Sequence, residues 1–307
     1  MKLLVPFELE EKYKEIGREI IGENNIIWFP EKGNADAILI RSNDFPRDRE
    51  YKMVQTVSAG TDHIDLASIP ESTLVASNAG AYSLSVAEHA FALILERTKD
   101  ISGFRRETKG GVFNPKPTRL LYGKTLGIIG YGGIGARAAA IAKSFNMRVI
   151  SVGRGHRDRN SDEFFGLEDL DKLLVQSDYI LISIPLTKRT FGLIGKREFL
   201  LVKRNCTIVN VARAEIVKRE DLLDFVDRNK EASYLADVWW GEPNLDGADR
   251  ENVVVTPHIA GGLSGEVMEF AYRSAFENIK RFFDGKRPLN LVRRDEGVYL
   301  ERQRLGV

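Results

Sequence analysis

Short, continuous apolar runs alternate along the chain with polar turns and stretches of helical periodicity. A first series comprises Leu3–Phe7, Ile26–Phe29, Ala37–Ile40, Val54–Val57 and Leu74–Ala76. A second comprises Thr125–Ile129, Arg148–Val152, Tyr179–Ile184, Thr207–Val211, Tyr234–Val238 and Val253–Thr256. Such runs suit strands buried on both faces of a parallel sheet with helical crossovers; an antiparallel sandwich would alternate apolar with polar positions. Two long helical patterns separate the series. Ala87, Ala90, Phe91, Ile94 and Ile101 mark one over Ser85–Ile101, and Met268, Ala271, Tyr272, Ala275, Ile279 and Phe282 mark another over Glu266–Asp284. Gly285, with Pro288 just beyond, supplies the stop of the second. The expected class is α/β, with two doubly wound parallel-sheet domains. If the first helix leaves one domain and the second returns to it, residues 1–85 and 273–307 form one domain and 86–272 the other.

Composition narrows the functions open to this chain. Its 307 residues exceed one compact core, and 43% hydrophobic with 29% charged residues is too apolar for disorder and too polar for a membrane bundle. Forty-five basic residues against 44 acidic ones leave a net charge of +1, without a global field to gather nucleic acid or anionic lipid. The single cysteine, Cys206, excludes an intramolecular disulfide and a cysteine metal cluster, and it reads as a small buried hydrophobe. Leu3–Phe7 is shorter than the roughly 7–15 apolar residues of a signal peptide, and Phe91–Leu95 is far short of a membrane span. A soluble, cytoplasmic protein is expected, without metal, membrane or nucleic-acid partners.

The sharpest local motif is Gly130-Tyr131-Gly132-Gly133-Ile134-Gly135. It follows a strand-like run and opens an alanine-rich helical stretch, the context that the dinucleotide fingerprint requires. Gly130 permits the tight turn, Gly132 the approach of backbone to pyrophosphate, and Gly135 the close packing of helix on strand. The anion then meets free N–H groups at the positive end of the helix dipole. An NAD site usually places an acid at the end of the next strand, on the ribose hydroxyls. Here that strand ends in Gly153, with Arg154, Arg157 and Arg159 crowding past it. An arginine can grip a 2′-phosphate that an acid would repel, so NADP is expected in preference to NAD, with NAD still usable.

A dinucleotide site directs attention to hydride transfer. Reducing a 2-keto acid requires a grip on its carboxylate and a proton donor for the carbonyl oxygen. Of the four histidines, His89 lies in a helical pattern and suits a packing role, His156 sits in the arginine loop, and His63 lies near a turn. His258 lies directly past a strand, at the edge where open α/β sheets place their chemistry. Taken alone, it fits a structural or a catalytic role equally well. Two other strand ends bear on it: Val209–Ala214 ends in Arg213, and Ala236–Pro243 carries Asp237 and then Glu242.

With these motifs together, the chain resembles the D-isomer-specific 2-hydroxyacid dehydrogenases nearly from end to end. The resemblance runs from Val57–Asp65 through Ser85–Ala90, the glycine loop, Pro185-Leu186-Thr187 with Gly192-Leu193-Ile194, and the three strand ends, to Gly285–Asn290. It implies a Rossmann dinucleotide-binding domain inserted into a flavodoxin-like substrate domain, with the active site in the cleft between them, and a homodimer. It implies that Arg213 binds the substrate carboxylate, that His258 is the general acid or base, and that Glu242, sixteen residues before it, holds the ring and stabilises the imidazolium. Ala59 and Gly60 would offer N–H groups to the same carboxylate. Asp237 would hold the nicotinamide carboxamide, in a pocket lined by Val86, Val211, Ala212 and Gly261. Pro185, Leu186 and Thr190 would lie by the adenosine half.

The chain departs from the family pattern in several places. Ala214 follows the arginine where glycine is common, Ser183 stands where many relatives have histidine, and Gly153 replaces the usual acid. Trp239 and Trp240, beside Glu242, suit packing better than substrate gating. Arg293, Arg294, Arg302 and Arg304 lie in a C-terminal segment beyond the resemblance and suit a solvated tail or a dimer contact. The expected activity is NADPH-linked reduction of a small 2-keto acid such as glyoxylate or hydroxypyruvate. A phosphoglycerate dehydrogenase-like enzyme, or a non-catalytic dinucleotide-sensing binding protein of the same fold, are the alternatives. Glu242 argues against formate oxidation, because formate dehydrogenases pair their histidine with glutamine.

Overall fold

The computed structural model describes residues 1–42, 49–154, 158–262 and 264–293. The chain divides into two compact units: Met1–Tyr82 with Gly262–Val307, and Ser83–Gly261.

The first unit is built from β1 (Leu3–Val5), α1 (Glu11–Ile21), β2 (Ile26–Trp28), β3 (Ala37–Ile40), β4 (Met53–Thr56) and β5 (Leu74–Ala76), all parallel in the order β2-β1-β3-β4-β5. That is the flavodoxin-like order, whose ligand crevice lies where the winding reverses between β1 and β3. Alternate residues of the strands feed separate cores. Leu3, Val5 and Leu39 join Tyr13, Ile16, Tyr272, Phe276 and Ile279 on one face, while Leu4, Ile38 and Ile40 join Val54, Ile64 and Val75 on the other. Both faces are therefore covered, which is why the strands read as unbroken apolar runs.

The second unit opens with α2 (Ser83–Lys99), α3 (Ile101–Lys109), β6 (Thr125–Ile129), α4 (Gly133–Ser144), β7 (Arg148–Val152) and β8 (Glu163–Phe165). It continues with α5 (Leu170–Gln176), β9 (Tyr179–Ile182), α6 (Lys196–Phe199), β10 (Thr207–Asn210), α7 (Arg219–Arg228), β11 (Ser233–Ala236) and β12 (Val253–Val255). Its seven parallel strands run β12-β11-β10-β9-β6-β7-β8, the Rossmann order, with its switch point between β9 and β6. Cys206 is fully buried just before β10, and burial pushes its thiol pKa up, as befits an inert apolar residue.

The structure differs from expectation at four places. The boundary expected at 272/273 would cut the last helix, α8 (Gly265–Phe283), whereas the whole helix lies in the first unit. Its stripe of Ala271, Tyr272, Ala275, Phe276 and Ile279 is buried, and Tyr272, Ala275, Phe276 and Ile279 belong to that unit's core. At the other junction the split falls before Ser83 rather than after residue 85, so α2 also stays whole. The helical pattern expected to reach Ile101 breaks at Asp100, whose left-handed backbone (φ 51°) separates α2 from α3. Finally, β8 was not expected at all: a half-buried Glu-Phe-Phe edge strand lacks the fully apolar run of the central strands. Among the described residues, no helix is long and apolar enough to cross a membrane.

Candidate active site

The glycine loop connects β6 to α4 at the switch point. Gly130 has φ 101°, and a Cβ there would lie 2.6 Å from the Ile184 backbone nitrogen. Gly135 lets α4 start against the loop, since a Cβ would come within 2.3 Å of the Gly130 carbonyl oxygen. At Gly132, by contrast, a Cβ would meet nothing within 4 Å. The turn thus leaves open room in front of the N-terminus of a twelve-residue helix, and these features fit a dinucleotide pyrophosphate. Gly133 and Ile134 form the first helical residues.

Ser183, one of the departures, has a clear task. Its hydroxyl donates to the Gly130 carbonyl at 2.8 Å, and its N–H donates to the Ile129 carbonyl at 2.8 Å, so the loop after β9 braces the glycine turn. In the next turn, the buried Thr190 hydroxyl donates to the Pro185 carbonyl at 2.6 Å and accepts from the Thr187 N–H at 2.8 Å. Thr190 therefore shapes the loop that presents the exposed Pro185 and the buried Leu186.

Gly153 and Arg154 follow the end of β7, with Arg154 exposed, and Arg159 is exposed farther along. His156 and Arg157 lie outside the described residues. One carboxylate that sequence reasoning overlooked returns to this region: the Tyr131 hydroxyl of the glycine loop donates to Asp158. Burial and that carboxylate hold the Tyr131 phenol pKa well above its usual value. Tyr131 also packs edge-on against Phe164 of β8, with ring centroids 5.9 Å apart.

The candidate catalytic groups follow three adjacent strands, β10, β11 and β12, whose register pairs Asn210 with Ala236 and Ala236 with Val255. Neighbouring strands lie about 4.8 Å apart, so the three strand ends occupy one short stretch of sheet edge. After β10, the fully buried Asn210 accepts from the Ala212 N–H at 3.0 Å and donates to the Arg213 carbonyl at 2.9 Å. Asn210 thereby shapes the turn of Val211, Ala212 and Arg213, and its amide also donates to the buried Tyr234 hydroxyl at 3.0 Å. Arg213 donates to the Ala212 carbonyl at 2.8 Å.

After β11, the Glu242 carboxylate is held from two sides. One oxygen accepts the Trp239 N–H at 2.8 Å, and the other lies 3.0 Å from His258 Nδ1. With its proton on Nδ1, facing the acid, the ring would leave Nε2 open to a ligand. Trp239 is fully buried and donates its indole N–H to the Asp246 carbonyl at 3.0 Å, the packing role expected of it.

After β12, His258 has φ 55°, a strained conformation for a non-glycine residue. Asp237 stabilises it. One carboxylate oxygen accepts the Ile259 N–H at 2.9 Å and the Thr256 hydroxyl at 2.6 Å, and the other accepts the Ala260 N–H at 2.7 Å. Three of about four acceptor positions are thus engaged by the loop that carries His258, which makes Asp237 the anchor of that loop. Val86 is buried and Gly261 half-buried within the same unit. Ala59 and Gly60 belong to the first unit, in the loop after β4, where the Ser58 hydroxyl donates to the Gly60 carbonyl at 2.9 Å.

The family profile "D-isomer specific 2-hydroxyacid dehydrogenase, NAD binding domain" matches residues 91–260, which places the NAD-binding domain in the second unit. A glyoxylate reductase of Pyrococcus furiosus is 30% identical over 94% of this chain and 90% of its own length. A D-3-phosphoglycerate dehydrogenase of Methanocaldococcus jannaschii is 30% identical over 84% of this chain, which spans about half (52%) of that longer relative. The crystal structure of a glycerate dehydrogenase related protein from Thermoplasma acidophilum is 44% identical, with a TM-score of 0.74, covering 92% of this chain and all of that one. The chain belongs to the D-isomer-specific 2-hydroxyacid dehydrogenase family.

Proposed function

We propose that the chain reduces a small 2-keto acid, with glyoxylate and hydroxypyruvate as the first candidates, to the D-2-hydroxy acid using NADPH. The observation that carries this reading is the 3.0 Å contact of His258 Nδ1 with Glu242, at a sheet edge that also bears Arg213. The reduced nicotinamide, when bound, supplies the hydride. Arg213 offers paired N–H donors to the substrate carboxylate and polarises the keto group. His258 Nε2 donates a proton to the carbonyl oxygen as negative charge develops there, and Glu242 orients the ring through Nδ1. The carbonyl carbon gains the hydride and its oxygen the proton; in oxidation, neutral Nε2 takes that proton back. Asp237 keeps the imidazole in place through the loop backbone.

The preference for NADPH rests on Gly153 and Arg154 in place of an acid at the end of β7. Charge-assisted hydrogen bonds contribute about 1.5–3 kcal/mol. Arg154→Ala should therefore lower kcat/KM for NADPH about tenfold or more while changing that for NADH less than about threefold. Equal losses with the two cofactors, or a native preference for NADH, would refute this assignment.

We also place the protein in the cytoplasm as a homodimer. Support for the dimer comes from the segment joining α3 to β6, where Phe113 is 91% exposed and Val112, Leu120 and Tyr122 are also open to solvent. Large apolar side chains this exposed along one segment suit an association surface. Light scattering should give twice the chain mass for the native protein and a monomer for Phe113→Asp. A native monomer would contradict the assignment.

A further inference from the structure

We infer that Ser85 and His89 are positioning residues that clasp the two ends of the loop carrying His258. They stand four residues apart on α2, so their side chains project from one face of that helix. The Ser85 hydroxyl donates to the Ala260 carbonyl at 2.8 Å, at the far end of the loop. His89 Nε2 lies 2.8 Å from the Thr256 hydroxyl oxygen at the near end, and 3.5 Å from an Asp237 carboxylate oxygen. His258 sits between the two points, in its left-handed conformation.

The hydrogen-bond inventory sets the direction of the chain of donors. Asp237, only 2% exposed, is acceptor-only as a carboxylate, so the 2.6 Å contact takes the Thr256 hydroxyl proton. The Thr256 oxygen must then accept from His89, which requires the proton on Nε2 of His89. The relay runs from His89 to Thr256 to Asp237, and Asp237 in turn receives the N–H groups of Ile259 and Ala260. A strained backbone conformation persists only where its surroundings over-determine it. The helix supplies two of those constraints here.

This role rests on His258 being the proton donor, and displacement of a catalytic group by about 1 Å can cost 10²-fold in rate. The test uses the full chain, with Ser85→Ala, His89→Leu and His89→Gln, since the glutamine amide reaches the position of Nε2 and can still donate to Thr256. We expect kcat for 2-keto acid reduction to fall about tenfold or more in His89→Leu and Ser85→Ala, with the dissociation constant for NADPH changed less than about twofold. His89→Gln should recover most of kcat. Hydrogen exchange of the Ile259 and Ala260 amides gives a readout that needs no turnover: about tenfold faster in His89→Leu, and near native in His89→Gln. Should His89→Leu fail to fold, Ser85→Ala carries both measurements. Native exchange and native kcat in these variants would overturn the clasp. A native protein inactive towards keto acids would instead overturn the proposed reaction, while the exchange result would still decide the clasp.

Discussion

Gly130→Ala should abolish measurable dinucleotide binding, raising the dissociation constant for NADPH at least about 100-fold. Two costs add at this position. A left-handed backbone costs a non-glycine residue about 1–2 kcal/mol. The new methyl would also lie 2.6 Å from the Ile184 nitrogen and 2.7 Å from its α-carbon, a backbone obstacle that no side-chain rotation relieves. Relief requires the loop after β9 to move, and that movement breaks the Ser183–Gly130 hydrogen bond and misplaces the N–H groups at the start of α4. NADPH fluorescence titration, with a thermal melt to follow folding, checks the expectation. Native affinity in a folded Gly130→Ala protein would mean that the turn is not the phosphate site.

The parts of this molecule legible in its sequence are those encoded locally. The central strands declared themselves as unbroken apolar runs because both faces of each sheet are buried. The glycine motif was legible because strand, turn and helix start are contiguous. Arg213, Asp237, Glu242 and His258 could be placed at strand ends from those same runs, and their roles came from the family resemblance. What stayed hidden depends on contacts between distant segments. The edge strand β8 has only a half-buried pattern, and the boundary at Gly261 cannot be read from α8, whose apolar stripe does not say which sheet it covers. Ser183 looked like a missing histidine until its hydroxyl was seen on the Gly130 carbonyl, 53 residues away in the chain. His89 read as helix packing, yet it reaches Thr256 across 167 residues. Asp158 escaped notice because its partner, Tyr131, belongs to a different loop.

His258→Ala should lose about 10²–10⁴-fold in turnover, the range that a positioned general acid contributes. Cofactor affinity should be nearly unchanged, because the glycine loop lies at β6 while His258 follows β12, at the far edge of the sheet. The substitution also removes the partner that Glu242 faces. That carboxylate keeps the Trp239 N–H and 30% side-chain exposure, so the fold should tolerate the change. Arg213 would still bind the keto acid, so the loss should fall on kcat rather than on KM.

Purified protein mixed with NADPH and either glyoxylate or hydroxypyruvate, and followed by loss of NADPH absorbance alongside His258→Ala, tests the catalytic assignment most directly. Steady oxidation of NADPH by the native chain, collapsing in the variant while NADPH binding persists, is the expected result. A native chain that binds NADPH yet reduces no member of a 2-keto acid panel, or a His258→Ala variant with undiminished turnover, would contradict it.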